Sequence, residues 1–265
     1  MQYQQLRCIF FSPNGTTERA ARGAAEGIGI PAEPCDLTSF ESRWEKILFQ
    51  PGEAAVIALP VYGGRLPGIC REFFREIRGN GAPAVLLVTY GNNMYGDALY
   101  ELKERAEKAG FRPVAAAAVP AEHCMDRAIG AGRPNEADLA KLRAFGGQVR
   151  RLLERPAEEI PPLAVPGSPY PYAYKIFDKR VVPQTGEGCT KCGACAAGCP
   201  VKAINPLRLE ETDVTRCLLC MKCVWNCPAG ARKLEDQKTR ETMALIRKMN
   251  RAPKEQTYFI GGTER

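Results

Sequence analysis

Short apolar runs alternate with amphipathic stretches through the first half of the chain. Leu6 to Phe11 ("LRCIFF"), Ala54 to Val61 ("AAVIALPV"), Ala82 to Tyr90 ("APAVLLVTY") and Pro113 to Pro120 ("PVAAAAVP") are almost unbroken in apolar character. Strands covered on both faces read this way, whereas a half-solvated strand alternates. A weaker strand is expected near Glu33 to Leu37. Helical patterns fill the intervals, at about Gly15 to Gly27, Pro67 to Arg78, Tyr95 to Ala109 and Asn135 to Glu154. The last begins at Asn135, a suitable N-cap, and puts Leu139, Leu142, Val149 and Leu153 on one face. Strands alternating with helices through right-handed crossovers predict an α/β fold with a doubly wound, parallel, five-stranded sheet.

The pattern stops at Pro156. Six prolines crowd the segment from Pro156 to Tyr172, which excludes regular helix or an inner strand. Residues 1–155 are therefore expected to form one domain and 156–182 a stiff linker, with a short helix running to Lys179. A small cysteine-rich domain should follow at 183–234. Residues 235–265 then supply a helix from about Leu234 to Met249 and an irregular tail.

With 45% hydrophobic residues in 265, the chain can bury a proper core. The N-terminus "MQYQQLRCIFF" is polar before it is apolar, unlike a signal peptide, and no window approaches eighteen uninterrupted apolar residues. A cytoplasmic protein without a membrane span is expected. The formal charge of +7 is scattered rather than clustered, so no nucleic-acid partner is expected.

Cysteine changes the picture. Of twelve, Cys8, Cys35, Cys70 and Cys124 are dispersed, and eight fall between Cys189 and Cys227. "CTKCGACAAGCP" from Cys189 and "CLLCMKCVWNCP" from Cys217 share the spacing C-x2-C-x2-C-x3-C-P, every cysteine recurring 28 residues on. Pairs of cysteines also hold zinc, which usually takes two such pairs per ion. Three thiolates in a tight loop and a fourth beside proline suit a 4Fe–4S cubane better. This is the run of bacterial two-cluster ferredoxins, in which the fourth cysteine ligates the other cluster. One centre is then expected on Cys189, Cys192, Cys195 and Cys227, and a second on Cys217, Cys220, Cys223 and Cys199. The small domain would be α+β and ferredoxin-like, folding around its inorganic core. Gly193 and Gly198 would let the backbone approach a cluster.

The loop leaving the first strand, "SPNGTTE", resembles a triphosphate-binding loop without its lysine. In a doubly wound sheet such a loop lies where ligands bind. Ser12, Asn14, Thr16 and Thr17 offer hydroxyl and amide groups, Gly15 allows close approach, and a helix N-terminus favours an anion. A single phosphate dianion fits, which suits FMN better than a nucleoside triphosphate. The plain alternative is an ordinary helix start. Two further loops leave neighbouring strands: "PVYGGRLPG", opening with Pro60, Val61, Tyr62, Gly63 and Gly64, and "TYGNNMYGDAL", from Thr89 to Leu99. Both set glycines beside tyrosines, as a flat ring system requires.

These three loops look like the FMN-binding loops of flavodoxins, and five strands fit the flavodoxin-like order. Their fusion to a two-cluster ferredoxin resembles the bacterial flavodoxin–ferredoxin fusion family of anaerobes. The segment "AEHCMDRAIGAGRPNEADL" from Ala121 resembles that family's linking loop. The resemblance covers most of the chain. It implies that residues 12 to 17 hold the FMN phosphate and that Tyr62 and Tyr95 flank the ring. It places the Gly63–Gly64 peptide near flavin N5, and Tyr90, Gly91 and Asn92 along the ring's polar edge.

His123 is expected as a surface loop histidine, the four dispersed cysteines as packing residues, and Trp225 as a shield over a cluster. No strand is followed by G-x-G-x-x-G, so no dinucleotide site is legible. The expected protein is an electron carrier that relays electrons between FMN, two 4Fe–4S clusters and a redox partner protein such as a low-potential ferredoxin or a reductase. The alternative is an FMN-dependent reductase acting on a small substrate.

Overall fold

The computed structural model describes residues 3–156, 159–170 and 181–262. Its first part runs β1 (Gln5–Phe10), α1 (Thr16–Ile28), β2 (Ala32–Asp36), β3 (Glu53–Pro60), α2 (Cys70–Glu76), β4 (Pro83–Tyr90), α3 (Ala98–Lys108), β5 (Arg112–Pro120) and α4 (Glu136–Leu152). These five strands pair in parallel in the order β2-β1-β3-β4-β5, the flavodoxin-like arrangement. Every residue of β4 is buried, as its unbroken apolar run predicts. β2 is mostly exposed, which explains its weak signal.

Each face of the sheet has its own core. Leu6, Cys8 and Phe10 meet α1 and α4, while Ile9, Ile57 and Leu59 meet α2 and α3. α1 and α4 touch backbone to backbone: a Cβ on Gly27 would lie 2.1 Å from the Arg143 carbonyl oxygen, and one on Gly146 2.3 Å from that of Ala24. Asn135 caps α4 as expected, and Asp138 returns a bond to its N–H, completing a capping box. α2 is shorter than its pattern. Ile77 turns extended after it and pairs, with Arg78, against Ile47 and Leu48.

The tail departs from expectation. After α7 (Gln237–Met249), Thr257–Ile260 form β6, antiparallel on the outer edge of β5. An alanine-rich strand left as an open edge invites unwanted pairing, and β6 covers it. Tyr258 stacks on Phe145 of α4 at 4.9 Å between ring centroids. The proline-rich segment also returns to the sheet domain, where Ile160 and Leu163 are buried. The short helix expected up to Lys179 lies outside the described residues.

The cysteine-rich module is closed by antiparallel pairing of Gln184 and Thr185 with Lys233 and Arg232. Its repeat is visible in the backbone. The one-turn helices α5 (Ala194–Ala197) and α6 (Lys222–Trp225) lie 28 residues apart, as the cysteines do. Before them, Lys191 and Leu219 have φ of 55° and 56°, and Gly193 and Met221 have 75° and 62°. Left-handed backbone at non-glycine residues is uncommon. Its recurrence at matched positions indicates that the loop, not the side chain, sets the conformation. Ala196, Ile204 and Leu209 form the buried apolar cluster here, packed against Cys195, Cys199 and Cys223.

Candidate functional site

The switch in strand order lies between β1 and β3, and a cleft opens at their carboxyl ends. Its empty space is about 1150 Å³, solvent mouth included. Asn14, Thr16, Thr17, Pro60, Val61, Tyr62, Gly63, Tyr90 and Gly91 line it, so three distant loops of the sequence do converge. Gly15 stands in the left-handed region with φ 82°, and α1 has no side-chain cap from its N-cap position. The N–H groups of the first turn have no intrahelical acceptor. At the base, the hydroxyls of Thr17 and Thr89 are 2.7 Å apart, both side chains almost fully buried. Thr89 opens the third loop but is not among the site residues expected from the sequence.

Ser12 is occupied otherwise. Its N–H donates to Thr38 Oγ1 and its Oγ accepts from the Glu18 N–H, so it braces the loop. With Gly15 it lines a second cavity, shared with Asp36, Lys222 and Trp225. Tyr62 and Arg65 exchange backbone hydrogen bonds of 2.9 and 3.3 Å. Arg65 is fixed by Glu101 at 2.7 Å, and the same carboxylate accepts from the Leu66 N–H. A buried ion pair thus sets the turn that carries Tyr62. Crowding raises the Tyr62 phenol well above its ordinary pKa, chiefly by desolvation.

The third loop divides its labour. Tyr90 is buried, its phenol raised to about 12 by desolvation, and Tyr95 stands behind it at 5.5 Å between centroids. Gly64, Asn92 and Tyr95 are not walls of the cleft. Asn92 instead holds the tail: its amide donates to the carbonyls of Asn250 and Ala252 and accepts from the Lys254 N–H. This is a different task from the polar edge expected of it.

His123 corrects its expectation as a surface residue. It lines the cleft, and a Cβ on Gly91 would lie 2.4 Å from its imidazole. Its Nδ1 accepts from the Met125 N–H, which leaves the proton of the neutral ring on Nε2. Burial lowers its pKa, opposed by Asp126. Cys124 lines the same cleft with its thiol pushed up to about 12 by burial, so it packs rather than reacts.

The cysteine-rich module supplies the remaining wall: Cys217, Leu218 and Leu219. Four bonds tie its loop to the sheet domain. Asn14 donates to the Cys220 carbonyl (2.8 Å), Lys222 to that of Pro13 (3.0 Å) and Trp225 to that of Cys124 (2.7 Å). The Cys124 thiol reaches the Leu219 carbonyl at 3.8 Å. Trp225 is therefore a docking residue more than a shield, with Arg127 over its ring.

Cys189, Cys192, Cys195 and Cys227 rim one small cavity within the module. Cys199 lies within electrostatic reach of Cys217, Cys220 and Cys223. Both groupings are compatible with the crossed sets of four expected from the sequence. Among the described residues no three His, Cys, Asp or Glu side chains converge on the position of a single ion. The first four thiols instead stand around their small cavity.

Residues 188–232 match the family described as "4Fe-4S dicluster domain". A stretch of 53 residues is 47% identical to polyferredoxin protein MvhB of Methanothermobacter thermautotrophicus. Over the same length it is 45% identical to MvhB of Methanothermobacter marburgensis. Each match spans 19% of this chain and 12% of the relative, so the chain covers about an eighth of their length. Among solved structures, a flavodoxin from the domain Archaea overlaps 57% of this chain and 99% of its own, with 12% identity and a TM-score of 0.38. A Streptococcus pneumoniae flavodoxin overlaps 56% and 99%, with 19% identity and a TM-score of 0.36. An NAD(P)H:quinone oxidoreductase from Methanothermobacter marburgensis overlaps 58% and 98%, with 14% identity and a TM-score of 0.35. Strand order, not these overlaps, defines the first domain.

The chain joins a flavodoxin-like α/β domain to a C-terminal 4Fe–4S dicluster domain. Its eight cysteines imply two 4Fe–4S clusters, and the combination suggests electron transfer. No helix among the described residues is long and apolar enough to cross a membrane.

Proposed function

We propose that the cleft binds FMN and that the protein relays electrons between this flavin, its two 4Fe–4S clusters and an external redox protein. The carrying observation is the shared wall: one cleft is lined by Thr17, Tyr62 and Gly91 of the sheet domain and by Cys217, Leu218 and Leu219 of the cluster module. When bound, FMN exchanges electrons singly or in pairs, and each cluster passes one at a time. The start of α1, where Gly15 brings no side chain and Ser12 takes only the Glu18 N–H, suits a single phosphate together with Thr16, Thr17 and Thr89. Tyr62 and Tyr90 offer π-faces, and backbone groups of Gly63 and Gly91 offer a polar edge. The crossed cysteine sets hold the clusters. His123, neutral and donating through Nε2, suits the rim of such a ring.

Anaerobically isolated protein should contain one FMN per chain with about eight iron atoms and eight sulfides, as two such clusters require. A reduced low-potential ferredoxin should reduce clusters and flavin together, while NADH alone should reduce the flavin slowly. Flavin released as FAD would overturn the phosphate site. Rapid, saturable flavin reduction by NADH would replace the relay with a reductase.

A further inference from the structure

We infer that the cofactors act in a fixed order. The centre on Cys217, Cys220, Cys223 and Cys199 is the flavin's direct redox neighbour, and the centre on Cys189, Cys192, Cys195 and Cys227 faces the external partner. This rests on the FMN reading and goes beyond it. Cys217 is itself a wall of the flavin cleft, and the Cys220 carbonyl is bonded to Asn14 of the loop that would hold the phosphate. Lys222 and Trp225 hold the cluster loop against Pro13 and Cys124, so the contact is built rather than incidental. None of the other centre's thiols lines the cleft. Cys192 is exposed, whereas Cys220 is buried. From Gly186 to Ala194, and from Cys227 to Ala231, Glu187 and Lys191 are the only charged residues. Arg232 also lines this cavity but is buried, so the exposed rim of the first centre is small and nearly neutral, open to close approach by a partner.

Electrons balance along this path. An external one-electron donor protein is oxidised once per electron delivered to the first centre, which passes it to the second. Two such turns supply the pair that fully reduces the flavin, with protons drawn from solvent.

The test compares full-length Cys199→Ala and Cys227→Ala by stopped flow with a reduced low-potential ferredoxin. In Cys199→Ala the first centre should reduce at the wild-type rate while flavin reduction slows by about tenfold or more. In Cys227→Ala flavin and second centre should slow together. Flavin reduction at the wild-type rate in Cys199→Ala would overturn the order. Absence of bound FMN in the wild-type protein would instead overturn the reading beneath it. A measurement of proximity keeps the order falsifiable if a ligand variant folds poorly. Lys222→Ala combined with Trp225→Ala keeps all eight thiols. It should slow flavin reduction and weaken the magnetic relaxation of the flavin radical by EPR, with iron content unchanged. Unchanged relaxation and rate would overturn the order.

A second observation stands apart from the flavin. Arg232 is buried, and its Nε has no hydrogen-bond partner among the described residues. Its remaining nitrogens bond Thr185, Thr212 and the Leu209 carbonyl, so the group is held in place. It lines the cavity of the first four cysteines and acts electrostatically on Cys217 and Cys223 of the second set. The structure assigns Arg232 as a fixed positive charge between the two centres that favours their reduced, more negative states. Arg232→Gln should lower the potentials of both centres in EPR-monitored titrations, and Arg232→Lys should restore them in part. Equal potentials in wild type and Arg232→Gln, with iron content intact, would reduce Arg232 to a packing residue.

Discussion

The side-chain amide of Asn14 donates a 2.8 Å hydrogen bond to the carbonyl oxygen of Cys220, joining residues 206 positions apart. One sits in the loop that leaves β1, the other in the loop that carries a cluster. The contact between the domains is mostly of this kind: a few polar bonds around Leu218, which packs against the edge of the sheet-domain core. A neutral hydrogen bond contributes about 0.5–1.5 kcal/mol net, so no single one dominates. Asn14→Ala should therefore accelerate amide exchange across residues 217–222 by about two- to tenfold, without unfolding either domain. Hydrogen exchange read by mass spectrometry checks this. Unchanged exchange would show that the bond does not hold the domains together.

Thr17 tests the phosphate site. A hydroxyl bonded to an ionised group is worth about 1.5–3 kcal/mol, and Thr17 lines the cleft in the first turn of α1. Thr17→Ala should weaken FMN binding by about ten- to a hundredfold while riboflavin binding barely changes. Its buried partner Thr89 would also lose a bond, at a cost of about 1 kcal/mol in stability. Equal weakening of both flavins in a calorimetric titration would assign Thr17 to the fold alone.

Why some of this was legible follows from where each signal resides. β4 is buried throughout, β3 and β5 after their first residue, and β1 at its apolar positions, so their apolar runs state their environment directly. The cysteine repeat shows in its spacing, because three of each four expected ligands sit together in one short loop. Contacts made across the chain leave no such trace. Asn92 looked like part of a flavin loop, yet its partners lie about 160 residues on, at Asn250, Ala252 and Lys254. β6 was missed because four residues between glycines and prolines carry little pattern. Only the bare edge of β5 calls for them. Nothing in the residues around His123 signals its place in the cleft; Gly91, whose missing side chain makes room for it, is the informative residue.

Glu101 carries the turn beneath Tyr62. It is almost fully buried, and its carboxylate serves Arg65, Arg105 and the Leu66 N–H. Removing one member of a buried ion pair leaves the other charge uncompensated, which costs about 3–5 kcal/mol. Glu101→Ala should lower stability by about that amount in urea unfolding, and flavin affinity should fall with it because Tyr62 loses its support. A loss below about 1 kcal/mol would mean that water or another group takes over the carboxylate's place.

His123 gives the protein a pH dependence that can be assigned, because it is the only histidine in the chain. Burial lowers its folded pKa below the ordinary 6.5, with Asp126 opposing in part. In the unfolded chain the ring takes up a proton as pH falls through about 6.5, while in the folded protein it stays neutral to lower pH. The unfolded state then binds more protons, so stability declines as pH falls through that window and levels off below the folded pKa. Well above pH 6.5 both states are neutral and the contribution vanishes. His123→Gln keeps the polar size and abolishes the titration. Between about pH 7.5 and 5.5 wild type should therefore lose more stability than His123→Gln. The two curves should converge toward parallel lines on the alkaline side. Identical pH dependence of unfolding in the two proteins would mean that His123 titrates as freely folded as unfolded, and that the wall it forms against Gly91 opens to water.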